Sequence, residues 1–381
     1  MKVLLDVSPV TLPLSGIGRY ALELARHLPA AGVSELRYLR GAQVLESFDP
    51  GLAPPAPAAR WRQWMRPLLP YRLVLGPYRR RRARALAQGL RAYDDHILFA
   101  PNFSAPPVGG LSVVTLHDLS VFHFPDFHPR DRVNYLREQI HAAVERADHL
   151  VTDSDFVRTE LLQLFQLGAD RVTAIPLGVD AAFRPRAGAD IEAILARHGL
   201  RAGAYLLSVG TIEPRKNLAG LLRAYGLLPA ALRRRYPLVI AGGYGWNSDS
   251  LMADIRRLAG AGEVVYLDYV EEGQLGALYA GAAAFGYFSF YEGFGLPVLE
   301  AMASGVPVAC SASSALRELS ADCALQVDPQ DLEAMAAALR RALEDEAWRP
   351  GAVAQGLARS AQYTWQRTAA AVVAVLRGLD R

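Results

Sequence analysis

Short apolar runs alternate along this chain with longer stretches whose apolar residues recur at helical spacing. In the first half, residues 3–7, 96–100, 113–116, 150–153 and 172–175 read as strands. Runs of this kind suit a parallel sheet, whose strands are covered on both faces. Tyr20, Leu24, His27 and Leu28 recur as one helical face over residues 18–28. Ser154 follows a strand and precedes a helix over 156–165, the position of an N-cap. The pattern lapses between Phe183 and Gly203, where Pro185, Gly188 and a short polar helix fill the gap. It then resumes with a strand at 205–209 and further strands at 238–241, 264–267, 284–287 and 307–310. Helices are predicted near 218–227, 274–280, 297–303 and 332–343, and the tail from 364 to 379 is amphipathic.

Strand and helix in alternation are the mark of βαβ units. The reading is an α/β protein of two Rossmann-like, doubly wound domains facing across a cleft. Residues 1–183 form the first domain, 184–203 a linker, 204–363 the second domain, and 364–381 a tail helix. Ligands of such sheets bind beyond the carboxyl ends of the strands, at the switch point of strand order. Two crevices facing each other make one deep cleft, which is where chemistry is expected.

Length and composition agree with two cored domains. The chain has 381 residues, 51% of them hydrophobic and 21% charged. Cys310 and Cys323 are its two cysteines, at a spacing that suits neither a disulfide framework nor a zinc site. The first apolar run is too short for a signal peptide, and no stretch approaches the roughly 18 apolar residues of a spanning helix. The expected location is the cytoplasm or the inner face of its membrane. A net charge of +3 is small for this length. Its distribution is uneven, with ten arginines and no acid from Arg60 to Arg91, interleaved with Trp61, Trp64, Tyr71 and Tyr78. Basic residues among aromatic ones suit a helix lying on anionic lipid. No helix-turn-helix, zinc or RNA-binding signature accompanies them, so nucleic acid is not an expected partner.

The chemistry concentrates in a few strand-end segments. Glu292-Gly293-Phe294-Gly295-Leu296-Pro297-Val298-Leu299-Glu300 follows one predicted strand and opens a helix with Pro297 at its first position. Gly293 and Gly295 permit close backbone approach to a ligand, and the amides of Phe294, Gly295 and Leu296 are free to receive phosphate or sugar oxygens. Glu300, read into the first helical turn, can accept from the vicinal hydroxyls of a ribose. A bland alternative makes Glu300 an acid that complements the helix dipole, worth ~0.3–1 kcal/mol. Gly210-Thr211-Ile212-Glu213-Pro214-Arg215-Lys216-Asn217 follows the first strand of the second half. Arg215 and Lys216 pair a planar fork with a point charge, which suits a pyrophosphate. Cations are unfavourable at a helix start, so an anion is expected to offset them. Ser15-Gly16-Ile17-Gly18-Arg19 lacks the third glycine of the dinucleotide fingerprint, which argues against an oxidoreductase. His117, at a strand's carboxyl end beside Asp118, can bond a sugar hydroxyl near neutral pH.

These motifs resemble the retaining glycosyltransferases of family 4, with the GT-B fold, and among them bacterial O-antigen and capsule mannosyltransferases. The resemblance is densest over 205–329 and clear over 113–179, where Asp153-Ser154 and Ile175-Pro176-Leu177-Gly178-Val179-Asp180 are further landmarks. Residues 33–95 match poorly and are expected to shape the acceptor side. The resemblance implies that Glu300 holds the donor ribose, while Glu292 and the Phe294–Leu296 amides hold the transferred sugar. Arg215 and Lys216 would neutralise the pyrophosphate as it leaves. His117 would touch the transferred sugar, Gly16 and Gly18 would approach the donor phosphates, and the main chain at Val270 would read the base. No cofactor or metal is expected, since positive charge at Arg215 and Lys216 would replace the cation. The implied reaction moves a hexose from a nucleotide sugar to a glycan or polyprenyl-linked saccharide. His117-Asp118-Leu119 through His128-Pro129 resembles users of GDP-mannose, with GDP-rhamnose a near relative. UDP- or dTDP-sugars remain open, as does a sugar-nucleotide epimerase of similar architecture.

Overall fold

The computed structural model describes residues 1–11, 14–49, 86, 88–104, 106, 108–260 and 262–380. The predicted loop at 50–57 and the basic block from Arg60 through Arg84 lie outside them.

The strands fall into two sheets. The first comprises β1 (Lys2–Asp6), β2 (Glu35–Arg40), β3 (Gln43–Leu45), β4 (Ile97–Ala100), β5 (Ser112–Leu116), β6 (His149–Thr152) and β7 (Val172–Ala174). Their order is β3-β2-β1-β4-β5-β6-β7, parallel except for the terminal β2–β3 pair. The second comprises β8 (Leu206–Val209), β9 (Leu238–Ala241), β10 (Val264–Tyr266), β11 (Ala284–Tyr287), β12 (Val308–Ser311) and β13 (Leu325–Val327). Its order is β10-β9-β8-β11-β12-β13, and all of its pairings are parallel. Strand order reverses between β1 and β4 in one sheet and between β8 and β11 in the other, so each sheet has one switch point.

Three of these strands lie outside the apolar pattern. β2 carries Glu35, Arg37 and Arg40 and is mostly half-buried, so its membership comes from the ladder with β1 rather than from its own hydrophobicity. β3 and β13 have three residues each, too few to show a period. The structure also adds helices at Arg130–Arg146, Asp249–Gly260 and Arg349–Ser360. No helix among the described residues is long and apolar enough to cross a membrane.

The halves share a core. Helix Trp365–Leu379 follows the second sheet in sequence, yet Trp365, Ala369, Val372, Val373 and Leu376 are buried in one cluster with Val3, Leu5 and Tyr20. Thr364 caps its start by accepting from the Arg367 amide, and Thr368 Oγ1 donates to the Pro176 carbonyl at 2.8 Å. This helix returns the chain to the first half and brings the two sets of strand ends together.

Candidate functional site

The loop between β11 and helix Leu296–Ala303 is held from several sides. Asn217 Nδ2 donates to the Phe288 carbonyl at 3.1 Å, Ser311 Oγ to the Ser289 carbonyl at 2.6 Å, and the Phe290 amide to the Arg215 carbonyl at 3.0 Å. The Glu292 amide donates to Ser314 Oγ at 2.9 Å. Ser154, the N-cap of helix Asp155–Phe165, accepts from the Val157 amide while its hydroxyl donates to the Gly293 carbonyl at 2.7 Å. The first half of the molecule therefore grips the loop directly.

This geometry adds a second reason for both glycines. A Cβ at Gly293 would collide with the main-chain carbonyl of His117, so the missing side chain lets the two halves meet here, in the lining of the cleft. Gly295 has φ +114°, in the left-handed region, and a Cβ there would strike Leu316. Pro297 is the second helical residue rather than the first, and Glu300 is the fifth, beyond the first turn, because the helix opens at Leu296. The amides of Phe294, Gly295 and Leu296 find no acceptor among the described residues. An orphan set of this kind at a helix start is a ready anion or hydroxyl site.

Opposite the loop stand Arg215 and Lys216, in the 3-10 turn Pro214–Lys216. Lys216 Nζ lies 2.7 Å from Glu292 Oε1 and 2.7 Å from the Tyr287 hydroxyl. Arg215 reaches Glu292 Oε2 at 3.1 Å, Glu213 Oε1 at 2.8 Å and the Tyr291 carbonyl at 2.7 Å. The anion that offsets the two cations is thus supplied by the chain itself: two cations meet two carboxylates, and their formal charges cancel. Glu213 and Tyr287 are parts of the cluster absent from the predicted site. Glu213 had a signal, lying two residues before Arg215 in the same motif, and Tyr287 is the last residue of β11.

Glu292 is 6% exposed. Burial works against its charge, but Lys216 and then Arg215 outweigh it and hold the carboxyl at about 2, below its ordinary 4.5. A depressed carboxyl stabilises the fold above the unfolded value, and that contribution is lost as pH falls toward the folded value. We therefore expect wild-type stability to fall more steeply than that of Glu292→Gln between about pH 4.5 and pH 2. Denaturant midpoints measured across that interval check this; parallel curves for the two proteins would remove the linkage.

His117 is more committed than its position suggests. Its Nδ1 lies 2.7 Å from Asp153 Oδ2 and its Nε2 lies 3.0 Å from the Pro101 carbonyl. Both partners are acceptors, so the geometry suits an imidazolium with both nitrogens donating. Burial opposes the charge, yet the Asp153 carboxylate and the bond to it leave the pKa raised. A sugar hydroxyl can reach this ring only in exchange for Pro101.

One cleft of about 540 Å³ collects Gly16, His117, Arg215, Lys216, Val270, Glu292, Phe294, Gly295, Leu296 and Glu300. Gly18 is not among its walls; it is buried in the first helix, its amide donating to Ser15 Oγ at 3.1 Å. Glu300 is 7% exposed, beside Tyr279, whose phenol is raised by burial first and by the Glu300 carboxylate next. Every one of these segments follows a strand's carboxyl end, which is how two sheets deliver residues from distant parts of the chain to one place.

Comparison with known proteins shows the family and the fold. The family described as "Glycosyltransferase Family 4" matches residues 14–183, and that described as "Glycosyl transferases group 1" matches residues 190–356. The O-antigen chain mannosyltransferase B of Escherichia coli is 40% identical over 368 residues, covering 96% of this chain and 97% of that protein. The chain belongs to glycosyltransferase family 4. The serotype-specific mannosyltransferase WbdA of Escherichia coli is 32% identical to this glycosyltransferase over 60% of the chain and 28% of its own length. Its fold is also that of solved enzymes. WaaG, a glycosyltransferase involved in lipopolysaccharide biosynthesis, superposes with a TM-score of 0.71 over 97% of this chain and 99% of its own, at 19% identity. Anabaena Alr3699/HepE in complex with UDP and glucose gives 0.72 over 99% of each chain, at 16% identity. This glycosyltransferase has the GT-B architecture of two Rossmann-like domains.

The two domains of the glycosyltransferase are latched around the loop at several points. The Leu119 amide donates to the Tyr291 hydroxyl at 3.1 Å, and that hydroxyl donates to Glu160 Oε2 at 2.5 Å. Glu318 of the second domain accepts from the Asp155 and Phe156 amides, each at 3.1 Å, and so serves the helix start that Ser154 caps. Phe127 stacks on Phe290 with ring centroids 5.5 Å apart.

Proposed function

We propose that this glycosyltransferase transfers a mannosyl residue from GDP-mannose, with retention, to a growing lipid-linked glycan in cell-surface polysaccharide synthesis. The observation that carries the sugar and its setting is the 40% identity, across nearly the whole of both chains, to an O-antigen chain mannosyltransferase.

The geometry supports a division of labour within the cleft. Glu300 accepts from the donor ribose, and the main chain at Val270 lies against the base. The free amides of Phe294–Leu296 receive oxygens of the transferred sugar. The diphosphate of the donor takes the place of Glu292 as counter-ion to Arg215 and Lys216. That exchange frees the Glu292 carboxylate to accept from a hydroxyl of the sugar, so the phosphate and the sugar are gripped in one event. Charge then develops on the departing diphosphate between two preorganised cations in a shielded site, where such stabilisation is strongest. The acceptor hydroxyl attacks on the face the diphosphate leaves, and a phosphate oxygen takes its proton. In this reading Arg215 and Lys216 supply the charge a metal would, and the rate is expected to be unchanged by a chelator in a steady-state assay. The basic segment between Arg60 and Arg91 places the enzyme on anionic lipid at the cytoplasmic face, where a polyprenyl-linked acceptor is presented.

A thermal-shift panel of GDP, UDP and dTDP with their sugars tests the donor. GDP-mannose is expected to give the largest rise in Tm, since a ligand at concentration L that binds the native state alone stabilises it by RT ln(1 + L/Kd), which grows as Kd falls. A larger rise with a UDP- or dTDP-sugar would overturn the donor. Anomeric configuration of the product, read by NMR, tests retention.

A further inference from the structure

His128 follows the 3-10 turn Pro125–Phe127 and stands just before helix Arg130–Arg146. It is 6% exposed, and its ring forms part of the cleft wall. The bonds around it fix where its proton sits. Burial opposes the charge of Asp118, but Arg215 and the bonds from Ser120 keep its carboxyl below the ordinary value, so it is ionised and can only accept. Ser120 Oγ, 2.7 Å from Asp118 Oδ1, is therefore the donor in that bond. With its hydroxyl hydrogen directed at Asp118, Ser120 Oγ offers only a lone pair to His128 Nε2 at 3.0 Å, and Nε2 must donate. Burial first, then the neighbouring Arg215 and Arg132 against the pull of Asp118 and Glu213, lowers the ring's pKa and keeps it neutral. A neutral ring protonated at Nε2 carries a bare acceptor at Nδ1. That atom is buried and meets no hydrogen-bond donor among the described residues.

Buried acceptors are almost always paired, and one without a partner in a residue that lines a cleft calls for a ligand. The surroundings suit a carbohydrate. Trp246, from the second domain, lies with its ring centroid 5.8 Å from that of His128, and its Nε1 donates to the Phe127 carbonyl at 2.8 Å. Arg132 places its guanidinium 4.6 Å over the same indole. An indole edge, a guanidinium and a lone imidazole acceptor together offer what a pyranose and its hydroxyls require.

We infer that His128 Nδ1 accepts a hydrogen bond from a sugar hydroxyl, in a subsite bounded by Trp246 and Arg132 that forms where the two domains meet. The inference rests on the sugar-transfer reading above. Its ligand is a hexose hydroxyl of either the donor or the acceptor glycan, and the experiment separates the two. Gln at position 128 keeps a donor near the Nε2 position and loses the Nδ1 acceptor; Asn keeps a carbonyl oxygen near Nδ1.

Initial rates of wild type, His128→Gln and His128→Asn are measured with GDP-mannose varied, then with a mannose disaccharide on an octyl chain varied as acceptor. His128→Gln is expected to raise one of the two KM values at least about tenfold, while His128→Asn stays within about threefold of wild type. The KM that rises names the substrate. Among monodeoxy analogues of that substrate, one is expected to lose about tenfold in kcat/KM with wild type and nothing further with His128→Gln. If the two variants behave alike, or no analogue is distinguished, His128 serves the fold or a bound water, and the inference is overturned. A wild-type enzyme that transfers nothing overturns the sugar-transfer reading, and the inference with it.

Discussion

Lys216→Ala is expected to lower kcat by a factor of about 10²–10³ while the protein stays folded. The expectation comes from where Lys216 sits. Its ammonium is 2.7 Å from both Glu292 and Tyr287 and is largely shielded, so its charge acts in a medium that screens it poorly. In the proposed reaction that charge meets the diphosphate most strongly as the bond to the sugar breaks, which places the loss in kcat rather than in binding alone. The fold should survive because Glu292 retains the Arg215 guanidinium at 3.1 Å and the Tyr287 hydroxyl at 2.8 Å. Breaking a buried pair outright costs several kcal/mol, about 3–5, but here the carboxylate keeps a cationic partner. Single-turnover rates beside a thermal melt check both parts. Turnover near that of wild type would remove Lys216 from the leaving-group role, and a collapsed melt would place its contribution in the fold.

Glu300→Ala is expected to raise the donor Kd at least about tenfold, which is about 1.4 kcal/mol. A carboxylate that accepts from two vicinal hydroxyls makes charge-assisted bonds, each stronger than a neutral one. Glu300 lines the cleft at 7% exposure, so water competes poorly for it. Glu300→Gln keeps the volume and one acceptor oxygen, and it should fall between wild type and Glu300→Ala. Titration calorimetry with the free nucleotide isolates the ribose contact from those made by the sugar. Unchanged nucleotide affinity in Glu300→Ala would leave the residue with no place in donor binding. The bland view of Glu300 as a complement to the helix dipole already fails on geometry, because the residue lies past the first turn, where that effect has fallen off.

A good part of this molecule is legible along the chain. The apolar runs that became β1, β4, β5, β8, β9 and β11 are contiguous, so burial on both faces writes them into a few adjacent residues. Ser154 could be read as an N-cap because capping is a relation over three residues. The segments from Gly210 to Asn217 and from Glu292 to Glu300 were legible for a similar reason, since glycine, proline and charge stand together at strand ends. Strands β2, β3 and β13 were not. Their place depends on a neighbour's open ladder, and a half-buried or three-residue strand has no period of its own.

The sequence by itself thus determined two doubly wound sheets, the strand ends that carry the chemistry, and the residue types gathered there. Only the tertiary structure decided which of those residues face one another. Arg215 and Lys216 invited an anion from outside, and the fold supplied Glu292 from 77 and 76 positions away, with Glu213 beside it. Gly293 was read as room for a ligand, and the fold also uses it as room for the carbonyl of His117. Asp153 proved to be the partner of His117 from 36 residues away, and the unpartnered nitrogen of His128 is defined by Ser120 and Asp118 together. These pairings depend on two sheets meeting at their switch points with helix Trp365–Leu379 tying the second half to the first. Hydrophobic periodicity specifies how each segment buries its own face; it carries no term for the partner that a charge meets across a cleft, because that distance is set by packing the whole chain.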